Sequence, residues 1–447
     1  MAKYDALIKG GRVVRGVGVS VEDVAIKGEV IARLASDIDP KEATETIDAS
    51  GKLIFPGILD VHTHPVYVDD LGGTSVTAAF GGITTLIHYA YARPGMKLTE
   101  TVQRFKEEGL QKSLLDFGLH GGIFDAPNQV KEIPETMKMG VTSFKFFMTY
   151  AKLKWMTDDY YLAAAMDLLA QNGGLAIVHA ESGLAIDYLE DKHLKMEGDQ
   201  RDVFMITHPD SLEAEAIFRA ISIAEVVSCP LYVAHVTAAK AISPLRRARE
   251  QGLPVHAETC PQYLTLTDDE VRAKGPLAKI GPPLRTRDDN DALWEAIREG
   301  IIDVIASDHA PKNKRTDDDF FKAPFGSPST ETLLTVSHDE GVNRGRIDIC
   351  CLARVLSENP ARIFGLYPKK GAIQEGSDAD LTLFDPSLGL VISQETQHSN
   401  APYTLYEGRA CLGTPILTMQ RGRVILDRDR LLIEPGSAQF LSISINK

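Results

Sequence analysis

Apolar and polar positions change rhythm three times along this chain. Residues 3 to 55 carry short alternating runs, DALIKGGRVV and EDVAIKGEVIARL among them, broken by Gly and Asp turns and without a helical stripe. They predict a small β unit over 1–55. From Pro56 the texture becomes a repeated cycle of amphipathic helix, Gly stop and short apolar strand, the pattern of parallel β/α architecture. This unit is assigned to 56–370. Beyond it, GAIQEGSDADLTLFDP and PILTMQRGRVILDRD return to alternating strands with Gly turns, so 371–447 is expected to complete the β unit begun at the N-terminus.

Four β/α cycles read directly. Val130, Ile133 and Met137 stripe a helix ended by Gly140, and VTSFKFF follows as a strand carrying Lys145. Leu162, Met166 and Leu169 mark a helix stopped at Asn172-Gly173-Gly174, and LAIVHAE delivers His179. Asp210 and Glu213, spaced like a capping box, open a helix through Ile217 and Ile221, and LYVAH delivers His235. Leu293 and Ile297 lead to Gly300 and then IDVIASDHA, which delivers Asp308. Upstream, FPGILDVHTH is a strand with His62 and His64 at its C-terminal end. In a (β/α) barrel, catalytic groups gather at the C-terminal ends of strands that are far apart in sequence, and five strands here obey that rule.

Side chains alternate along a strand, so His62 and His64 share a face and offer two imidazoles to one ion. Imidazole and carboxylate suit borderline metals such as zinc, with Asp308 as the carboxylate. Lys145 is the odd member, because an ammonium framed by Phe144, Phe146 and Phe147 and set beside cations is strongly disfavoured. A neutral lysine amine can take up carbon dioxide as a carbamate, which turns a cation into a bridging carboxylate. Taken singly, each residue has a plainer role: a hydrogen-bonded core histidine, a lysine paired across the sheet, an aspartate capping a helix. Convergence of all six at equivalent strand ends favours a metal pair. His88, His120 and His256 are read as structural.

Composition narrows the surroundings. A net charge of −14 with interleaved signs leaves no basic face for nucleic acid. Five scattered cysteines without a C-x-x-C pair suggest neither a disulfide framework nor a thiolate site, which fits a reducing cytoplasm. No stretch approaches the roughly 20 apolar residues of a membrane span, and MAKYDALIKGGRVV has no apolar signal core, so a soluble, unprocessed protein is expected.

From FPGILDVHTHP through AAFGGITT, SFKFFMTY, VHAES, AHVT, AETCPQYL, IGPPLR and SDHAP to NPARIFGLYPKKGAIQEGSDADLTLFDP, the chain resembles the cyclic amidohydrolases of the amidohydrolase superfamily. That group includes dihydropyrimidinases (hydantoinases), allantoinases and dihydroorotases. The resemblance implies a TIM-like (β/α)8 barrel with a β-sandwich formed by both termini. It implies two divalent ions per subunit, zinc foremost with Mn, Co or Ni as alternatives, held by His62, His64, Lys145, His179, His235 and Asp308. Lys145 would be the carboxylated bridge. In FKFFMTY, Tyr150 matches the hydantoinase tyrosine that donates to the substrate carbonyl. Gly281 and Phe325 stand where hydantoinases have Ser and Asn, at contacts made largely by backbone.

Dihydroorotases place Arg, Asn and His where this chain has Val66, Tyr91 and Lys312, so the hydantoinase branch is favoured, although APFG at 323–326 looks like the dihydroorotase loop. The loop between His64 and Ala78 is shorter than in typical hydantoinases, which leaves substrate size open. The expected chemistry is attack on a ring carbonyl by a hydroxide bridging the ions, since coordination lowers the pKa of water from about 15.7 toward about 7. Asp308 would serve as base and then acid. Allantoinase, a cyclic imide hydrolase, an acyclic amidase and, outside catalysis, a dihydropyrimidinase-like binding scaffold stand as alternatives. Relatives of this type commonly form homo-oligomers, tetramers or dimers.

Overall fold

The computed structural model describes residues 2–193 and 198–444. Eight parallel strands form one curled sheet in strict chain order: Ile58–Thr63, Ile83–Ala92, Asp116–Ile123, Ser143–Phe147, Leu175–His179, Leu231–Val233, Val255–Thr259 and Val304–Ile305. The ring closes between the ends of the first and last strands. There the His309 N–H donates to the His62 carbonyl at 3.1 Å, and the His64 N–H donates to the His309 carbonyl at 2.8 Å. All ten residues of ITTLIHYAYA are buried, as expected of a parallel strand covered on both faces.

The two chain ends build the sandwich together. One sheet has four strands, Val30–Ala35, Asp23–Lys27, Tyr4–Lys9 and Ala43–Asp48. In the second sheet the N-terminal Leu53–Pro56 lies antiparallel to the C-terminal Leu381–Val391, pairing Leu53 with Phe384 and Pro56 with Leu381. Ile8, Val24 and Ile26 of the first sheet pack with Ile54, Leu381 and Met419 of the second in a shared core. The last described stretch leaves the sandwich. Phe117 donates its N–H to the Gln439 carbonyl and accepts from the Leu441 N–H, and Leu441 and Ile443 pack with Leu59, Ile87 and Ile177 inside the barrel.

Two helices depart from the sequence expectation. The stripe through Val130, Ile133 and Met137 is three short pieces, Ala126–Gln129, Val130–Glu132 and Ile133–Met137, with Pro127 and Pro134 near two of the starts. Helix Asp210–Val226 has no capping box, and its N-cap is Pro209. Glu213 turns inward instead, accepting from the Thr237 N–H at 2.7 Å and from Arg285 at 3.0 Å, because a buried ion pair needs it more than a solvated helix end does. By contrast Gly173 ends Asp159–Asn172 in the left-handed region at φ 70°, as its sequence predicts.

Among the described residues no helix is long and apolar enough to cross a membrane.

Candidate metal centre

His62, His64, Lys145, His179, His235 and Asp308 line one cavity of about 240 Å³ at the C-terminal mouth of the barrel. His62 is the next-to-last residue of its strand and His64 follows the strand end, so strand alternation puts their rings 5.2 Å apart. Asp308 Oδ1 joins them, 2.9 Å from His64 Nε2 and 3.2 Å from His62 Nε2. His179 closes its strand, and the His235 ring lies 4.4 Å from it and 5.4 Å from that of His62. Three of these groups, His62, His64 and Asp308, each offer a ligand atom within 4.8 Å of the other two.

Lys145 is 1% exposed, and its ammonium has no hydrogen-bond partner. Its Nζ lies 5.3 Å from the ring of Tyr89 and 5.7 Å from that of Phe147. Burial brings its pKa down to about 8 against the pull of Glu258 and Asp308. Burial also drives His62, His64 and His235 toward the neutral imidazole, the form that ligates a metal. For Asp308, burial acts to raise the pKa, yet His62 and His64 outweigh it and hold the carboxylate ionised. An unpartnered buried amine, an unpartnered His64 Nδ1 and a carboxylate oxygen shared by two imidazoles fit a divalent metal centre better than a self-satisfied polar core.

A second layer escapes the sequence reading. Glu258, fully buried on Val255–Thr259, places Oε1 2.6 Å from His62 Nδ1 and accepts from the His235 N–H at 3.2 Å and the Tyr232 hydroxyl at 2.7 Å. Burial pushes its carboxyl up to about 7. Glu181 likewise sits 2.7 Å from His179 Nε2. Carboxylates behind imidazoles fix the ring and its tautomer. The available signal was an acidic residue inside each of the apolar runs VHAET and IVHAE.

Tyr150, Gly281 and Phe325 line the same cavity. A Cβ on Gly281 would lie 2.8 Å from the Tyr150 hydroxyl, so the missing side chain leaves room for that ring. The Tyr150 and Phe325 rings are 5.8 Å apart. Tyr150, His235 and Asp308 hold φ of 66°, 38° and 51°, three strained backbones at one cavity. His88 and His120 are buried, bonded to Thr63 and to Ser143 and Val61 respectively, while His256 sits 3.7 Å from Asp303.

Residues 53–425 match the model of the amidohydrolase family, and the match spans the barrel and most of the C-terminal sandwich. The chain belongs to this family. Among its members, the D-hydantoinase of Rhizobium radiobacter is 37% identical over 98% of both chains, and the L-hydantoinase of Paenarthrobacter aurescens 32% over 98% of both. The crystal structure of the dihydropyrimidinase from Brevibacillus agri superposes with a TM-score of 0.94 at 33% identity, covering 98% of this chain and 99% of that one. Amidohydrolase membership implies divalent metal chemistry, for which the cavity supplies the ligand cluster.

Proposed function

We propose that this protein is a metal-dependent hydrolase that opens a small cyclic amide of the dihydropyrimidine or hydantoin type. The observation that carries the reading is the buried, unpartnered Lys145 amine among four imidazoles and Asp308, within a chain similar over its full length to hydantoinases of either hand. Two ions, zinc foremost, would be held by His62, His64, His179, His235 and Asp308, with Lys145 as an N6-carboxylysine between them. Carboxylation removes the buried cation and supplies the negative charge that two dications require. Bound there, the ions supply Lewis acidity toward a ring carbonyl and bring the pKa of water toward neutrality.

The protein's own groups do the rest. Asp308 Oδ1, at the cavity wall, takes the proton of the attacking water and delivers it to the departing ring nitrogen. The Tyr150 hydroxyl, which makes no hydrogen bond among the described residues, donates to the carbonyl oxygen as negative charge develops on it. The backbones at Gly281 and Phe325 hold the ring edge, and Tyr91, Phe124, Phe147 and Trp155 wall the cavity and exclude water. We assign the protein to the cytoplasm and expect a homo-oligomer.

Metal analysis of purified protein, followed by a screen of dihydrouracil, hydantoin, allantoin, succinimide and dihydroorotate, tests this reading. About two ions per chain and opening of hydantoin or dihydrouracil are expected. A protein that binds no metal and opens no ring would be a binding scaffold instead.

A further inference from the structure

The cavity wall at Gly281 and Phe325 is built by two segments, one ahead of Gly281 and one in the long loop after the last barrel strand. Each buries a lysine, Lys279 at 3% and Lys314 at 1% exposure, and each ammonium reaches into the other segment. The Lys279 ammonium donates to the Phe321 and Ala323 carbonyls at 2.9 and 2.8 Å and lies 4.6 Å from the centre of the Phe325 ring. Lys314 donates to the Leu277 and Lys279 carbonyls at 2.9 and 3.0 Å. Lys279 also holds the loop by its backbone, since its carbonyl accepts from the Gly326 N–H at 3.2 Å. From the other side, the Tyr403 hydroxyl donates to the Gly326 carbonyl at 3.0 Å.

Stability alone does not account for these two cations. Burial pushes the Lys279 pKa down to about 8, and burial with Lys279 adding to it pushes that of Lys314 down to about 7. An apolar side chain of similar volume would be buried at less cost. What an ammonium adds is several N–H donors on one atom, able to hold several carbonyls at fixed points. The points held by Lys279 are Phe321, Ala323 and Gly326, on both sides of Phe325. The turn itself is close-fitted: Gly326 has φ 118°, and a Cβ there would stand 2.5 Å from the Ala310 carbonyl oxygen. A Cβ on Gly281 would stand 3.0 Å from Phe325 Cδ1, so the Phe325 ring seats against the bare Gly281 backbone.

We propose that Lys279 is a positioning residue for ring opening, which fixes the Phe325 backbone opposite Gly281 by holding the turn at 321–326 through both its ammonium and its carbonyl. The inference rests on the ring-opening reading above and deepens it, because the two backbones so placed are those assigned to the ring edge. Lys314 and Tyr403 brace the same arrangement, one behind the Lys279 carbonyl and one beneath Gly326. Lys279 lies behind the cavity wall and not in its lining. Its effect therefore falls on how the ring is held and leaves the metal ligands alone.

The test compares metal-loaded wild type, Lys279→Met and Tyr403→Phe in steady-state turnover of hydantoin and dihydrouracil, in metal content, and in amide hydrogen exchange at 321–326. Lys279→Met is expected to raise KM about tenfold with kcat and bound metal near their wild-type values, and to speed exchange at that turn. Tyr403→Phe removes one hydroxyl and no charge, and should move KM and exchange in the same direction by less. It decides the matter should Lys279→Met not fold. An unchanged KM in the folded variant overturns the proposal, as does a raised KM without faster exchange at 321–326. A fall in kcat that tracks lost metal, with KM unmoved, also overturns it, since that is the mark of a merely structural lysine. Each of these results with an active wild type defeats this inference alone, whereas a wild type that opens no ring defeats the ring-opening reading with it.

Discussion

The buried Lys145 amine has no hydrogen-bond partner among the described residues. An ammonium that finds no acceptor in a closed aromatic and imidazole setting is among the least favourable groups a barrel can bury. Lys145→Ala is expected to lose most bound metal, read by elemental analysis of the purified variant, together with its activity; full metal content would remove the bridging role. Tyr150→Phe should lower kcat by roughly 100-fold with KM little changed, the size of one lost oxyanion donor. Glu258→Gln should weaken metal affinity or activity by roughly 10- to 100-fold, since it loosens His62 from behind. At this scale the sequence showed the six cavity groups because each is an odd polar residue in an apolar strand end. Glu258 and Glu181 satisfy the same description. Glu258 went unnamed because its partner His62 lies across the barrel, and no spacing along the chain encodes which imidazole stands opposite; Glu181 has its partner His179 only two residues away, a spacing the sequence did display.

Elements were legible where local chemistry and tertiary packing agree, as at the Gly173 stop of Asp159–Asn172, whereas the following cap went unread. Thr286 and Asp289 form a reciprocal capping box on Arg287–Arg298, and Asp289 also accepts from the Ala239 N–H at 2.8 Å. Thr286→Ala is therefore expected to lower stability by about 1 kcal/mol in urea unfolding, with kcat unmoved. At Asp210 and Glu213 the same spacing misled, because Arg285 sits within the core and draws Glu213 away from the helix end. Strand placement was clear because a fully buried parallel strand is a short apolar run with a stop on each side. Barrel closure was not, since the last strand is Val304–Ile305 and the ring is completed by backbone at His309.

Across the molecule, barrel and sandwich are fastened by buried charge. Lys370 lies 2.7 Å from both Asp116 and Asp380, and Asp116 also accepts from Arg421 at 3.1 Å. The loop after His64 is pinned in the same way. Asp69 lies 3.1 Å from His309 Nε2 and accepts from Ser399 and Asn400 of the C-terminal region. Burial acts to raise the Asp69 pKa, but these partners outweigh it and bring it to about 2. A depressed folded value means that the stabilisation is complete above the unfolded value of about 3.9 and is lost as pH falls toward about 2. Urea titrations from pH 7 downward should show that loss, and Asp69→Asn should be less stable at pH 7 with a shallower acid dependence; an identical slope in the variant would remove Asp69 as its source.

Leu53 waits for Phe384, and the barrel floor waits for Leu441 and Ile443. A ribosome adding about 5 to 20 residues per second needs on the order of tens of seconds to bring the second strand of that first pair into being. Through that interval the opening strands can pair only with one another, and even a finished barrel wall lacks its base until residues 441–443 are made. Loss of Leu441 and Ile443 would therefore leave the barrel floor uncovered, however complete its walls.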